Sequence, residues 1–153
     1  METLKISQAD LSDADEILDL QKVAYQSEAA IYNDFTIPPL TQTLEEIQKE
    51  FESKVFFKAT NQGRIIGSIR ASTDGETCFI GRLIVHPDFQ RQGIGTQLLE
   101  RIECCFPKAL RYELFTGDRS ENNIRFYRKR GYRKSQTKRI TDKVVILLME
   151  KKP

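Results

Sequence analysis

Long apolar runs are missing from this chain: none approaches the ~20 residues of a membrane span. The N-terminal stretch METLKISQADLSD has no signal-peptide core. Together these place the expected location in the cytoplasm. Charge of one sign is also lacking. With 24 basic and 22 acidic residues the formal net charge is +2, a bias that gives no support to a nucleic-acid partner. Cysteine is scarce at three. The number is odd and the spacing fits no metal, so neither a disulfide framework nor a metal centre is expected. Cys78, Cys104 and Cys105 read as buried, reduced thiols. The one histidine, His86, precedes Pro87 at a strand exit and reads as a turn residue.

What remains is an ordinary globular mixture, 39% hydrophobic and 30% charged over 153 residues. That is one domain's worth, spanning 1–153, with enough chain to bury a core. No linker, repeat or low-complexity stretch divides it. The C-terminal third is locally basic (Arg125, Arg128, Lys129, Arg130, Arg133, Lys134, Lys138 and Arg139). It reads either as a solvated face or as an attraction for a polyanion.

Thr3 to Ser7 alternates as a strand does. Ser12 with Asp15 resembles a capping box, followed by Ile17, Leu18, Leu20, Val23 and Ala24 at helical spacing. Ser27 to Leu40 loses the period, carries Pro38-Pro39 and reads as irregular. Thr43 with Glu46 is a cleaner box opening the helix LEEIQKEF. Val55 to Thr60, Arg64 to Thr73 and Glu76 to Val85 read as a three-stranded meander, turned at Asn61-Gln62-Gly63 and at the hairpin signal Asp74-Gly75. A helix runs to about Cys105, and Tyr112 to Thr116 is a strand. Ser120 to Arg130 is a helix closed by Gly131. Tyr132 to Lys138 and Val144 to Glu150 finish the chain around a turn at Thr141-Asp142. The order is β-α-α-β-β-β-α-β-α-β-β, an α+β fold. It predicts a mixed, mostly antiparallel sheet of about seven strands flanked by about four helices.

The stretch QRQGIG, Gln90 to Gly95, sits where a strand hands over to a helix. The first N–H groups of a helix lack partners within it, and the helix dipole adds positive charge there. Glycines let a phosphate approach those groups, and Arg91 adds charge. The stretch therefore reads as a diphosphate cradle, or as glycines that only shape a tight turn. It is not a P-loop, because Gly95 is followed by Thr96-Gln97. It is not a dinucleotide fingerprint, because a third glycine would fall at Leu98.

The longer stretch LIVHPDFQRQGIGTQLLE resembles the acetyl-CoA signature of the GCN5-related N-acetyltransferase (GNAT) superfamily, with Gln90, Gly93 and Gly95 matching. SENNIRFYRKRGY resembles the same superfamily's late helix, with Phe126-Tyr127 near its end and Gly131-Tyr132 where the family usually has Gly-Phe. The resemblance implies acetyl-CoA as co-substrate, with no metal. It implies transfer of the acetyl group to a primary amine of a small molecule or protein, by direct attack in a ternary complex. A non-catalytic acyl-CoA-binding sensor or assembly module is the alternative. The pyrophosphate would lie on N–H groups of Arg91, Gln92, Gly93, Ile94, Gly95 and Thr96. The pantetheine arm would pair with Leu83, Ile84 and Val85, and an N–H of Val85 or a neighbour would polarise the thioester carbonyl.

Tyr127 matches the family's general acid for the leaving thiolate; by helical spacing alone it also reads as a core tyrosine. Where the family often has a cofactor-contacting asparagine this chain has Ser120. Asn123, one turn before Tyr127 on the same face, is the expected substitute, ahead of Asn122. For the general base, Glu113 is better placed along the chain than Glu76, and a water relay to backbone carbonyls is the other route. The acceptor pocket is expected from Tyr25 to Thr43 with the last strands. The acceptor is an unidentified amine, no membrane or nucleic-acid partner is expected, and homodimerisation stays open.

Overall fold

In the computed structural model, which describes residues 4–153, the strands are β1 (Leu4–Gln8), β2 (Val55–Asn61), β3 (Arg64–Thr73), β4 (Thr77–Val85), β5 (Arg111–Gly117), β6 (Arg133–Arg139) and β7 (Val145–Lys151). Thr3, the expected start of the first strand, lies outside the described residues. The helices are α1 (Ala14–Ala24), α2 (Gln26–Tyr32), α3 (Pro38–Thr41), α4 (Leu44–Glu50), α5 (Ile94–Cys104) and α6 (Glu121–Lys129). All seven strands form one sheet in the order β1-β2-β3-β4-β5-β7-β6. Only β4 and β5 pair in parallel. This is the mixed, mostly antiparallel sheet that the pattern predicts.

Helices cover both faces. Ile94, Leu98, Leu99 and Ile102 of α5 and Tyr127 of α6 pack on Ile66, Ile80, Tyr112 and Leu114. On the other face Ile17, Leu18 and Leu20 of α1 and Ile47 of α4 pack on Phe56, Ile65 and Ile84. A buried polar hub fastens the second layer. Arg70 of β3, 1% exposed, donates to Gln21 Oε1 at 2.7 Å and to Glu50 Oε2 at 3.0 Å. Gln21 in turn donates to the Pro39 carbonyl at 2.9 Å. One side chain thus ties the sheet to α1, α3 and α4. Burial pulls the Arg70 guanidinium down to about 10, so it is still charged at neutral pH, and Glu50 opposes that pull.

Thr43 and Glu46 form the expected capping box of α4, with reciprocal bonds of 2.8 and 3.2 Å. The box expected at Ser12 and Asp15 forms instead at Asp10 and Asp13, around a single 3-10 turn ahead of α1. The cause is that the Asp10 carboxylate takes the Ser12 N–H. The irregular stretch from Ser27 to Leu40 also needs correcting: most of α2 and of α3 falls in it. Only Ala29 and Tyr32 of α2 are buried, too few to show a period. Pro38 and Pro39 start α3, where a missing N–H costs nothing.

Cys78 is buried, as expected, but Cys104 and Cys105 are exposed at the end of α5. The helix turns its apolar stripe, ending at Ile102, to the sheet and leaves these two outside. Burial pushes the Cys78 thiol up to about 12, which suppresses the reactive thiolate. A thiol reagent at pH 8 should label two cysteines in the native protein and the third only after denaturation. Labelling of all three at one rate would contradict this placement.

Candidate active site

β4 and β5 share only three paired residues, Thr77 to Phe79 with Arg111 to Glu113, and then part. A bulge in β4 helps to part them. The register against β3 slips by one residue between the pairs Ser68–Ile84 and Arg70–Gly81. Arg82 takes up the slip in the left-handed region, at φ 51°. The bulge inverts the facing of the strand. Cys78 and Ile80 point into the α5–α6 layer, whereas Ile84 points into the α1–α4 layer, and Leu83 and Val85 now pack on the α5–α6 side. Beyond Phe79 the β5-facing edge of β4 has no strand partner. Leu83, Ile84 and Val85 all lie on that stretch.

The loop that follows is shaped by two left-handed residues, Arg91 at φ 64° and Gly93 at φ 80°. His86 is the turn residue expected, its ring nitrogen accepting from the Asp88 N–H at 3.1 Å. The Gln90 amide donates to the Val85 carbonyl at 3.4 Å and folds the loop against the strand end. α5 then begins at Ile94 with no side chain capping it. Its first N–H groups, those of Ile94, Gly95 and Thr96, are left to whatever lies beyond the loop. A Cβ on Gly93 would meet nothing within 4 Å, so open space adjoins the turn. The side chains divide the work further. Ile94 is buried and offers the site only its main chain. The Thr96 hydroxyl accepts from Arg130 Nε at 3.1 Å. Arg91 and Gln92 are exposed.

α6 closes over this loop. A Cβ on Gly95 would lie 3.4 Å from Phe126 Cζ, and the Arg130 guanidinium stacks on the Phe126 ring at 3.8 Å. The neighbouring Tyr127 is 8% exposed, edge-on to Phe126 and to Tyr132. Burial pushes its phenol well above the usual tyrosine range, with Tyr25 and Glu28 adding to the effect. The group is therefore a protonated donor at neutral pH, held without a partner among the described residues.

The structure brings Tyr127, Asn123, Gly95 and the β4 edge to the same end of the parted strands. It does not bring Glu113 there. Glu113 sits in the last pair before the strands part and lies 3.6 Å from Arg111 Nε. Strand alternation explains this. Tyr112, Leu114 and Thr116 are the buried residues of β5, so Glu113 faces away from α6. Glu76 is farther still, in the hairpin where its carbonyl accepts from Leu110 N–H at 2.6 Å. Asn123 is drawn toward α2, donating to Glu28 Oε1 at 3.1 Å, and Asn122 is exposed. Three residues at this end were absent from the sequence reading as individuals: Glu28, Tyr25 and Arg82, the last with its guanidinium 5.9 Å over the Tyr25 ring. The only signal for Tyr25 and Glu28 was their stretch of chain, already assigned to the acceptor side; Arg82, in β4, had none.

The arrangement fits a thioester carrier. An uncapped helix start offers amides to a diphosphate, an unpaired strand edge offers main-chain groups to an amide-bearing arm, and a buried phenol stands near. Comparison with known proteins agrees. The model of the acetyltransferase (GNAT) domain matches residues 52–134. The UPF0157 protein YqkA of Bacillus subtilis is 32% identical over 124 residues, covering 81% of this chain and 36% of that protein. The chain spans less than half the length of the curated relatives it matches. Among solved structures, PaiA N-acetyltransferase of Thermoplasma acidophilum in complex with coenzyme A superposes with a TM-score of 0.84 at 18% identity, over 99% of both chains. A GNAT family acetyltransferase of Elizabethkingia anophelis with acetyl-CoA bound gives 0.74 at 21% identity, over 98% of both. These two likenesses concern the fold; the domain match covers more than half of the sequence, and by it the chain belongs to the GNAT acetyltransferase family.

Proposed function

We propose that this chain transfers the acetyl group of acetyl-CoA to a primary amine by direct attack in a ternary complex. The observation that carries the reading is the gap between β4 and β5, flanked on one side by the uncapped start of α5 and on the other by the unpartnered hydroxyl of Tyr127.

Acetyl-CoA supplies an activated acyl group as its thioester. The N–H groups from Arg91 to Thr96 receive the pyrophosphate, and the glycines keep the approach clear. The free edge of β4 at Leu83, Ile84 and Val85 receives the pantetheine arm, and an N–H at or next to Val85 polarises the acyl carbonyl. Tyr127 gives its proton to the leaving sulfur. A free thiol has a pKa near ~8.5, so this donation assists departure without being indispensable. An amine nucleophile with a pKa near ~10.4 must also lose a proton before it attacks.

A covalent acetyl-enzyme has no obvious host. Cys104 and Cys105 close α5, about 15 Å of helix from its start. Cys78 lies at the paired end of β4. Initial rates at varied acetyl-CoA and amine should give intersecting double-reciprocal lines. Parallel lines would contradict direct attack.

Gly93 gives a sharper test of the cradle. Valine there adds a branched side chain beside the loop, where a Cβ would meet nothing within 4 Å, and it strains a turn held at φ 80°. Acetyl-CoA affinity should fall at least about tenfold, ~1.4 kcal/mol. Unchanged affinity by isothermal titration, in a variant shown to be folded, would remove the loop from the binding site.

A further inference from the structure

The structure assigns to Glu28 the reception of the acceptor's ammonium group beside Tyr127, which makes the acceptor a cationic primary amine and Glu28 the first stop for its proton. This rests on the acetyltransferase reading above and names the missing half of that site.

Glu28 stands in the first turn of α2 and reaches across to α6. Its Oε2 accepts from the Ser120 hydroxyl at 2.5 Å and its Oε1 from the Asn123 amide at 3.1 Å. Ser120 precedes α6, where a serine ordinarily caps its own helix. Here it makes no such bond. Ser120 is 3% exposed, and its hydroxyl is committed to Glu28 instead. The contact spans 92 positions of chain, so the fold has to hold α2 in place to make it. It does so through Tyr32, whose hydroxyl accepts from the Arg119 N–H at 2.7 Å and donates to Asp118 Oδ1 at 3.1 Å. Gly117 leaves the necessary room, since a Cβ there would stand 2.2 Å from the Tyr32 hydroxyl. The carboxylate is thus fixed from both sides.

Its charge is not answered. Both hydrogen-bond donors are neutral, and no lysine, arginine or histidine forms an ion pair with Glu28 among the described residues. A carboxylate offers about four acceptor positions, and the two bonds leave about half of them for a ligand. Asn123 lies one turn from Tyr127 on the same helix face, which puts the anion at the reacting end of the gap. The influence of Glu28 on the Tyr127 phenol agrees with that nearness. An ammonium is the ligand such a half-buried, unpaired anion selects.

The protons then balance. One leaves the ammonium for Glu28 and passes to water. The nitrogen lone pair forms the C–N bond as the C–S bond breaks, and Tyr127 protonates the sulfur. The second nitrogen proton, passed through Glu28, restores the phenol.

The test compares the wild type with Glu28→Gln and Glu28→Asp on n-butylamine, 1,5-diaminopentane and lysine amide, with acetyl-CoA binding and thermal melting measured alongside. The expected result for Glu28→Gln is a loss of about tenfold or more in kcat/KM for the amine (~1.4 kcal/mol). Most of it should appear in the amine KM, with acetyl-CoA affinity and melting unchanged, and Glu28→Asp should recover part. Equal activity of Glu28→Gln and wild type on every amine acetylated would overturn the assignment. So would a glutamine variant that melts early or no longer binds acetyl-CoA, which would make Glu28 a brace. A wild type that binds acetyl-CoA and acetylates none of the three would overturn the acetyltransferase reading itself, and the assignment with it.

Discussion

Tyr127→Phe is expected to slow the chemical step about 100-fold, the low end for one general acid–base group, while acetyl-CoA affinity changes less than twofold. The substitution keeps the ring, and with it the edge contacts to Phe126 and Tyr132. It removes a hydroxyl that no described protein group engages in the free protein. The folded state therefore loses little. A group that acts only as charge develops on sulfur affects the transition state and not the ground state. Because burial holds the phenol well above its usual range, it stays protonated across the pH range of an ordinary assay and needs no activation. Single-turnover rates measured with a true acceptor decide the matter. Identical rates for the two proteins would return Tyr127 to the core and take the general acid out of the mechanism.

Arg70→Ala should cost about 3 kcal/mol of folding stability, the lower end of the range for removing one partner of a buried pair. Three groups lose a partner at once. Gln21 Oε1, in a residue that is 0% exposed, loses its 2.7 Å donor. The Phe56 face loses a guanidinium stacked at 4.6 Å. Glu50 loses its 3.0 Å partner but keeps Lys54 at 2.7 Å, which places the cost at the lower end. Burial alone would raise the Glu50 carboxyl; the bonds from Lys54 and Gln42 and the Arg70 charge outweigh it and leave it below the usual carboxylate range. At roughly 2–4 °C per kcal/mol for a chain of this size, melting should drop by about 6–12 °C. A fall under about 2 °C would show that α1, α3 and α4 are held by their apolar faces alone.

Local chemistry explains why much of the fold was readable in the sequence. Asp74-Gly75 turns the hairpin because Asp74 accepts from Glu76 and Thr77 N–H and Gly75 sits at φ 103°. Thr43 caps α4 with atoms three residues apart. Gly93 marks its turn because its backbone is left-handed. The parts that were missed are tertiary in origin. Arg82 adopts a left-handed backbone that no arginine signals, and the bulge in β4 is built on it. Glu113 drew attention by its place in the chain, but the alternation of β5 turns it away from α6. Glu28 was one acid among several in an aperiodic stretch, and only the docking of Tyr32 onto the β5–α6 connection sets its direction. Cys104 and Cys105 fall off the apolar stripe of α5 at its last turn, where pattern alone loses its hold on which face is inside.

The most direct test of the central claim is to incubate the pure protein with acetyl-CoA and a panel of primary amines and to quantify CoA and acetylated amine by chromatography. That readout is unaffected by the two exposed cysteines, which would consume a thiol reagent. The account predicts that CoA and one acetylated amine accumulate in equal amounts, well above the rate without protein. Tight binding of acetyl-CoA with no CoA released above that background, whatever amine is offered, would contradict it and make the chain a carrier-binding module.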